Sequence, residues 1–255
     1  MGPTKYDFSG QTAVVTGAAA GIGKGIAEAL AGAGARVHIL DINDEKGEAA
    51  AEGIRAAGGQ ASFLHCDVTV SASVRESFEA ILAESGRIDI LVNNAGGFWK
   101  QTTTAETSED DWDHIVELNL KSVFLCSKAA APAMKKQKGG RIINLGSMAG
   151  VTTLTPTSPP YSAAKAGVHA LSRVLAFELG RDGITVNAIA PGTTATERVL
   201  AVRNEEQRAQ ISAATQLGRI GEVSDMVGCA LFLASPEGAY MTGQTLTPNG
   251  GRFMA

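Results

Sequence analysis

Short runs of apolar and β-branched residues alternate with longer helical patterns along nearly the whole chain, and this alternation most limits how it can fold. The strand-like runs cover residues 12–16, 36–41, 61–67, 88–93, 140–147, 185–190 and 243–247. Helical patterns fill the intervals at 22–33, 44–57, 71–85, 110–137, 161–181 and 223–234. Strand, helix and strand in repeated succession predict a parallel sheet covered by helices on both faces. A chain of 255 residues is long enough for one such α/β domain with a substantial core. No linker, repeat or low-complexity tract interrupts it, so residues 1–255 read as a single domain. Ser108 followed three residues later by Asp111 has the form of a capping box opening the fourth helix. Two irregular stretches stand out. One is rich in Pro, Thr and Ser at 152–160; the other, at about 192–217, holds a charged helical piece at 197–212 and reads as a lid over a binding site.

Charge and composition exclude several classes. The formal net charge is −4, and the densest basic group is only Lys135, Lys136 and Lys138. That argues against a nucleic-acid partner. Three dispersed cysteines, Cys66, Cys126 and Cys229, form no CxxC pair. They suit a reducing cytoplasm better than a disulfide framework or a zinc site. His38, His65, His114 and His169 lack metal-site spacing, so no metal is expected. There is no apolar run behind a basic start, read here as no signal peptide, and no stretch approaches a membrane span.

The first candidate site is the turn after the first strand. Gly17, Gly21 and Gly23 follow Thr16 with the spacing GxxxGxG and open a helix with Ile22. Glycine permits a tight turn and a close approach of backbone to a pyrophosphate, and the helix start offers free N–H groups. Taken alone, such a turn can equally be only a turn. Asp41 closes the second strand about 20 residues on, where a carboxylate accepts hydrogen bonds from ribose hydroxyls and repels a 2′-phosphate. A helix-capping or surface aspartate is the plainer alternative. Ile42 follows it, and Ala20 precedes Gly21, so neither supplies a cation for a phosphate-bearing cofactor. The pattern therefore predicts NAD rather than NADP. Asp67-Val68 ends the third strand and can bond an adenine amino group. Asn93, Asn94, Ala95 and Gly96 end the fourth, where small residues admit a cofactor; read singly, both are turn chemistry.

The second candidate site is Tyr161-Ser-Ala-Ala-Lys165. Residues i and i+4 share a helix face, so phenol and ammonium can converge. A free tyrosine titrates near pH 10. A lysine charge about 4–5 Å away, at an effective dielectric near 20, favours the phenolate by roughly 3–4 kcal/mol and makes it a usable acid/base. Ser147, 14 residues earlier at a strand end, can hold a reacting oxygen beside the phenol. Asn119 sits mid-helix although asparagine is a mediocre helix former, which calls for either a surface position or a function.

Together these motifs resemble the short-chain dehydrogenase/reductase family, with Asn187 to Pro191-Gly192 and Thr242-Gly243-Gln244 completing the match over nearly the whole chain. The resemblance implies a Rossmann-like, doubly wound, seven-stranded parallel sheet in one domain. It implies Asn119, Ser147, Tyr161 and Lys165 as a catalytic tetrad: Tyr161 exchanges the proton, Ser147 orients the carbonyl, Lys165 binds the nicotinamide ribose, and Asn119 holds a relay water. It further implies that Pro191, Gly192, Thr194 and Thr196 meet the nicotinamide end. A homotetramer or homodimer, packed through the helices that start near Asp110 and Tyr161, is expected. One departure is Pro248-Asn249-Gly250-Gly251, where the family more often has Val-Asp-Gly-Gly.

The expected substrate pocket comprises Phe98, Trp99, Ser147, Met148, Gly150, Val151, Leu154, Tyr161, Thr193 and the segment 197–212. It is mostly apolar and fits a secondary alcohol or ketone: a small polyol, sugar, cyclic alcohol, hydroxy acid or 3-oxoacyl thioester. No cation is fixed inside it, although Arg198 and Arg203 can reach in from the lid. The leading expectation is thus an NAD-dependent oxidoreductase acting on CH–OH groups. A 3-oxoacyl-[acyl-carrier-protein] reductase is the alternative, and Asp41 counts against it because those reductases usually take NADPH. A non-catalytic dinucleotide sensor or scaffold is the alternative of another class.

Overall fold

A computed structural model describes residues 6–98, 100–153 and 158–254. Seven parallel strands form one sheet in the order β3-β2-β1-β4-β5-β6-β7. They are β1 Thr12–Thr16, β2 Arg36–Asp41, β3 Gln60–His65, β4 Ile90–Asn93, β5 Gly140–Leu145, β6 Ile184–Ile189 and β7 Thr245–Leu246. The helices are α1 Gly21–Gly32, α2 Asp44–Ala56, α3 Ser71–Ser85, α4 Glu109–Val116, α5 Ser122–Gln137, α6 Pro159–Leu179, α7 Glu197–Val202, α8 Glu205–Ala213 and α9 Val223–Ala234. The parallel sheet covered on both faces that the alternation predicts is what the chain forms, with the seven strands and doubly wound order that the family resemblance implies.

Side chains of β1 explain the layers. Ala13 and Val15 join a core with Ile26, Leu30, Ile54 and Leu233 from α1, α2 and α9. Val14 points the other way, into a core with Phe78, Ile81, Met134 and Leu179 from α3, α5 and α6. Alternate residues of a strand face opposite sides, so a strand buried on both sides must be apolar throughout, as β1 nearly is. The chain order reverses between β1 and β4. Crossovers leave in opposite directions there, which opens a crevice at the carboxyl ends of the strands.

Some elements depart from the sequence expectation. The 110–137 helix is broken by a π-helical segment, Glu117–Lys121, with Asn119 at its centre. Its Nδ2 donates to the Ile115 carbonyl at 2.9 Å, which diverts a carbonyl of the helical ladder. β5 stops at Leu145 because Gly146 turns against the His169 ring, leaving no room for a Cβ. Ser147 therefore lies beyond the strand, with its Oγ accepting from the Ala149 N–H at 3.1 Å. β3 likewise ends two residues before Asp67, and β7 is only two residues long. Ser108 does cap α4, its Oγ accepting from the Asp111 N–H at 3.1 Å. The lid region holds two helices, α7 and α8, tied back by a bridge between Thr194 and Gly221.

Candidate active site

A cavity of about 1360 Å³ occupies the crevice at the β1/β4 switch. Its floor is the glycine-rich turn. Gly17 and Gly21 both take φ near +60°, a conformation open to glycine at little cost. A Cβ on Gly17 would lie 2.7 Å from the Ala95 Cα, so the turn and the end of β4 are pressed together. Asn94 binds the two: its Nδ2 donates to the carbonyls of Thr16 and Gly17 at 3.0 and 2.8 Å. Gly23 lies behind the floor rather than on the wall, where any Cβ would strike that same Asn94 amide and the Gly17 carbonyl.

Several features of this floor fit a dinucleotide. The first turn of α1 has no side-chain cap and no acidic residue, and Ala20, Gly21 and Ile22 face the cavity. Uncapped N–H groups at a helix start attract an anion such as a pyrophosphate. At the edge of the turn, Asp41 Oδ2 accepts from the Ala19 N–H and Oδ1 from the Asn43 N–H, each at 3.0 Å. These bonds hold the carboxylate beside the glycine loop. Ile42, Asp67, Val68, Asn94, Ala95, Gly96, Pro191, Gly192, Thr194 and Thr196 line the same cavity. Asp67 also serves its own turn, accepting from the Thr69 N–H and Oγ1 at 2.9 and 2.7 Å. The sequence reading missed Lys46 of α2, which lines the same cavity and stands 3.9 Å from Glu197 of the lid.

Ser147, Tyr161 and Lys165 meet at the opposite wall. Ser147 stands close enough to the Tyr161 hydroxyl to favour its ionised form. Lys165 is buried, and its Nζ donates to the Leu145 carbonyl at 2.7 Å while standing 5.7 Å from the centre of the Tyr161 ring. Burial draws the Lys165 pKa down to about 8. The expected depression of the phenol by Lys165 is corrected here. Burial pushes Tyr161 above its ordinary value, opposed by the Ser147 hydroxyl and then by the charge of Arg198.

Asn119 does not reach the cavity wall. Its side chain is fully buried, with Oδ1 accepting from the Gly97 N–H and Nδ2 donating to the Gly97 carbonyl, both at 2.8 Å. It clamps the loop that carries Gly96 and Gly97, so its amide is engaged by backbone rather than offered to a water. Phe98 lies on the Tyr161 ring, centroids 4.7 Å apart. Met148, Thr193 and part of the 197–212 segment line the pocket as expected. Gly150 does not, because it packs on the Lys165 backbone of α6, and the exposed Val151 does not either. Trp99 and Leu154 fall outside the described residues. Arg198 is held in the pocket after all: its guanidinium donates to the Phe98 carbonyl. Asn249 and Arg252 line the wall too, carried there by the C-terminal segment. No local pattern signals them.

A family model described as enoyl-(acyl carrier protein) reductase matches residues 17–252. A solved short-chain type dehydrogenase/reductase from Mycobacterium marinum superposes with a TM-score of 0.93 at 35% identity, over 98% of both chains. The chain belongs to the short-chain dehydrogenase/reductase family. It is an oxidoreductase of a family built around a nicotinamide dinucleotide. The 3-oxoacyl-[acyl-carrier-protein] reductase FabG of Escherichia coli (strain K12) is 43% identical, over 97% of this chain and 99% of that protein. The uncharacterized oxidoreductase YxbG of Bacillus subtilis (strain 168) is 41% identical, over 94% of this chain and 90% of that protein. No helix among the described residues is long and apolar enough to cross a membrane.

Proposed function

We propose that this short-chain dehydrogenase/reductase interconverts a ketone and a secondary alcohol, with a 3-oxoacyl compound and its 3-hydroxy form as the substrate pair. The observation that carries the reaction class is the meeting of Ser147, Tyr161 and Lys165 on one wall of a cavity whose other wall is the glycine turn and Asp41. The likeness to FabG supports the 3-oxoacyl chain. Asp41 supports NAD(H) as the cofactor, since a carboxylate beside the ribose accepts from its hydroxyls and repels a 2′-phosphate. Read with that cofactor, the same site also suits an NAD-dependent dehydrogenase of a small polyol, sugar, cyclic alcohol or hydroxy acid. Asp41 is the observation that favours this second reading.

When bound, the dinucleotide supplies the hydride for reduction and accepts it in the reverse direction. The chain's own residues do the rest. Ser147 and Tyr161 present two hydroxyls to one carbonyl oxygen and hold it while negative charge develops there. Tyr161 gives that oxygen its proton; in alcohol oxidation the phenolate takes it back. Lys165 is anchored through the Leu145 carbonyl and would bind the nicotinamide ribose with its remaining N–H groups. Phe98 covers the phenol and limits water. Asn119 keeps Gly97 and Phe98 in register with Tyr161. Exposed apolar side chains on α5 and α6, with Phe177 92% and Val174 61% exposed, support a homotetramer or homodimer packed through those helices.

The test is Tyr161→Phe assayed on acetoacetyl thioester, acetoacetate and a panel of secondary alcohols, with NADH or NADPH and their oxidised forms. Turnover should fall by about 10³-fold or more, while nucleotide binding, read from quenching of intrinsic fluorescence, should persist. Turnover retained within tenfold would remove Tyr161 from the reaction.

A further inference from the structure

Charge is unevenly distributed along the cavity. Its carboxylates, Asp41, Asp67 and Glu197, lie with the nucleotide cradle or face Lys46. The catalytic half carries cations: Lys100, Arg198, Arg203 and Arg252. Of these, Arg198 is the one whose charge acts on the Tyr161 phenol. Its guanidinium lies against Gly97 and donates to the Phe98 carbonyl, and the ring of that same Phe98 rests on Tyr161. A guanidinium has five donors in a planar fork, so a single carbonyl engages only part of the fork of a side chain that lines the cavity. No carboxylate of the chain is hydrogen-bonded or ion-paired to it among the described residues.

We propose that Arg198 is the receptor for an anionic group on the substrate, and that this group is a carboxylate a few bonds from the reacting carbon. The inference rests on the ketone–alcohol reading above and narrows it to an oxo- or hydroxycarboxylate. Position favours a carboxylate over the phosphate of a pantetheine arm. Arg198 is one aromatic ring away from Tyr161, whereas that phosphate is at the far end of the arm from its keto group. A carboxylate can take two parallel N–H bonds from the fork, which fixes the ketone's orientation as well as its affinity. Arg198 is thus a specificity residue rather than a proton donor.

The experiment compares acetoacetate with its neutral methyl ester, and acetoacetyl-coenzyme A with the neutral acetoacetyl-N-acetylcysteamine thioester. The enzymes are wild type, Arg198→Gln and Arg198→Lys. Wild type should favour acetoacetate over the ester by roughly 10- to 100-fold in kcat/KM. In Arg198→Gln that ratio should collapse towards one, mainly through a raised KM for the anion; Arg198→Lys should restore part of it. A wild type that takes the ester equally well overturns the proposal. So does a loss in Arg198→Gln that is equal for anion and ester. A charge preference confined to the coenzyme A thioester assigns Arg198 to a phosphate and overturns the carboxylate. Calorimetric binding of 3-hydroxybutanoate to the NAD(H)-saturated enzyme keeps the two readings apart. Binding lost in Arg198→Gln, with no turnover of any ketone, sinks the oxidoreductase substrate reading and leaves the anion receptor standing. No binding to wild type sinks the receptor.

Discussion

Asp41→Asn exchanges a carboxylate for a neutral amide of the same shape at the ribose end of the cradle. Two effects follow, and they are read by different measurements. The first is on the fold. Asp41 accepts the N–H groups of Ala19 and Asn43 at 3.0 Å, and an asparagine side chain has only one oxygen for both. One N–H near the cavity loses its partner, at a cost of about 1–2 kcal/mol. For a chain of this size that lowers Tm by roughly 2–8 °C. The second effect is on cofactor choice. A doubly charged 2′-phosphate about 5 Å from a carboxylate is opposed by about 6–7 kcal/mol at an effective dielectric of 20. The side chain is only half-buried beside an open cavity, so screening leaves about 2–3 kcal/mol of this. The ratio of kcat/KM with NADPH to that with NADH should therefore rise roughly 30- to 150-fold in Asp41→Asn. Lys46, on the same wall, gives the phosphate a cation once the carboxylate is neutral. The assay is initial-rate loss of absorbance at saturating ketone with each reduced nucleotide. A wild-type enzyme that prefers NADPH refutes the argument, as does an unchanged ratio in a variant whose circular dichroism is native.

Two other perturbations test the frame around the site. His169 is buried one turn beyond Lys165, and its pKa is lowered to about 4 by burial and then by the charges of Lys165 and Arg173. The unfolded chain binds a proton that the native chain refuses between about pH 4 and 6.5. Stability therefore rises with pH across that window, by about 3 kcal/mol, and falls on acidification. In His169→Gln this rise should vanish from urea-denaturation curves measured at pH 4.5 and 7; an identical slope in both proteins refutes it. Phe177→Glu puts a charge on the most exposed aromatic side chain of α6. Light scattering should then report a smaller particle than wild type, with the monomer fold kept; an unchanged mass places the interface elsewhere.

Much of the site was legible because its chemistry is written in short intervals. The glycines at 17 and 21 lie within one turn, Tyr161 and Lys165 share one helix face, and Asp41 ends, and Asn94 directly follows, a strand whose apolar run marks it. Asn119 was visible only as an anomaly. Its neighbours Gly97 and Ile115 give it meaning, and a contact made 22 residues away has no period to betray it. The state of Tyr161 was misjudged for a related reason. Spacing reveals the lysine nearby, whereas the burial that outweighs it depends on how α6, the Phe98 loop and the lid close together.

By itself, the order of residues determined the alternating architecture, the glycine turn that floors the cavity, and the pairing of a phenol with an ammonium. Each depends on periodicity or backbone freedom inside a few consecutive residues, where local sterics dominate. Tertiary structure alone decided which charges share the reacting end of the cavity. Arg198 meets the Phe98 carbonyl from 100 residues away, and Arg252 arrives from the last segment of the chain. Such encounters come from packing the two cores onto one twisted sheet. Electrostatic fields follow the resulting distances in space, which spacing along the chain does not encode.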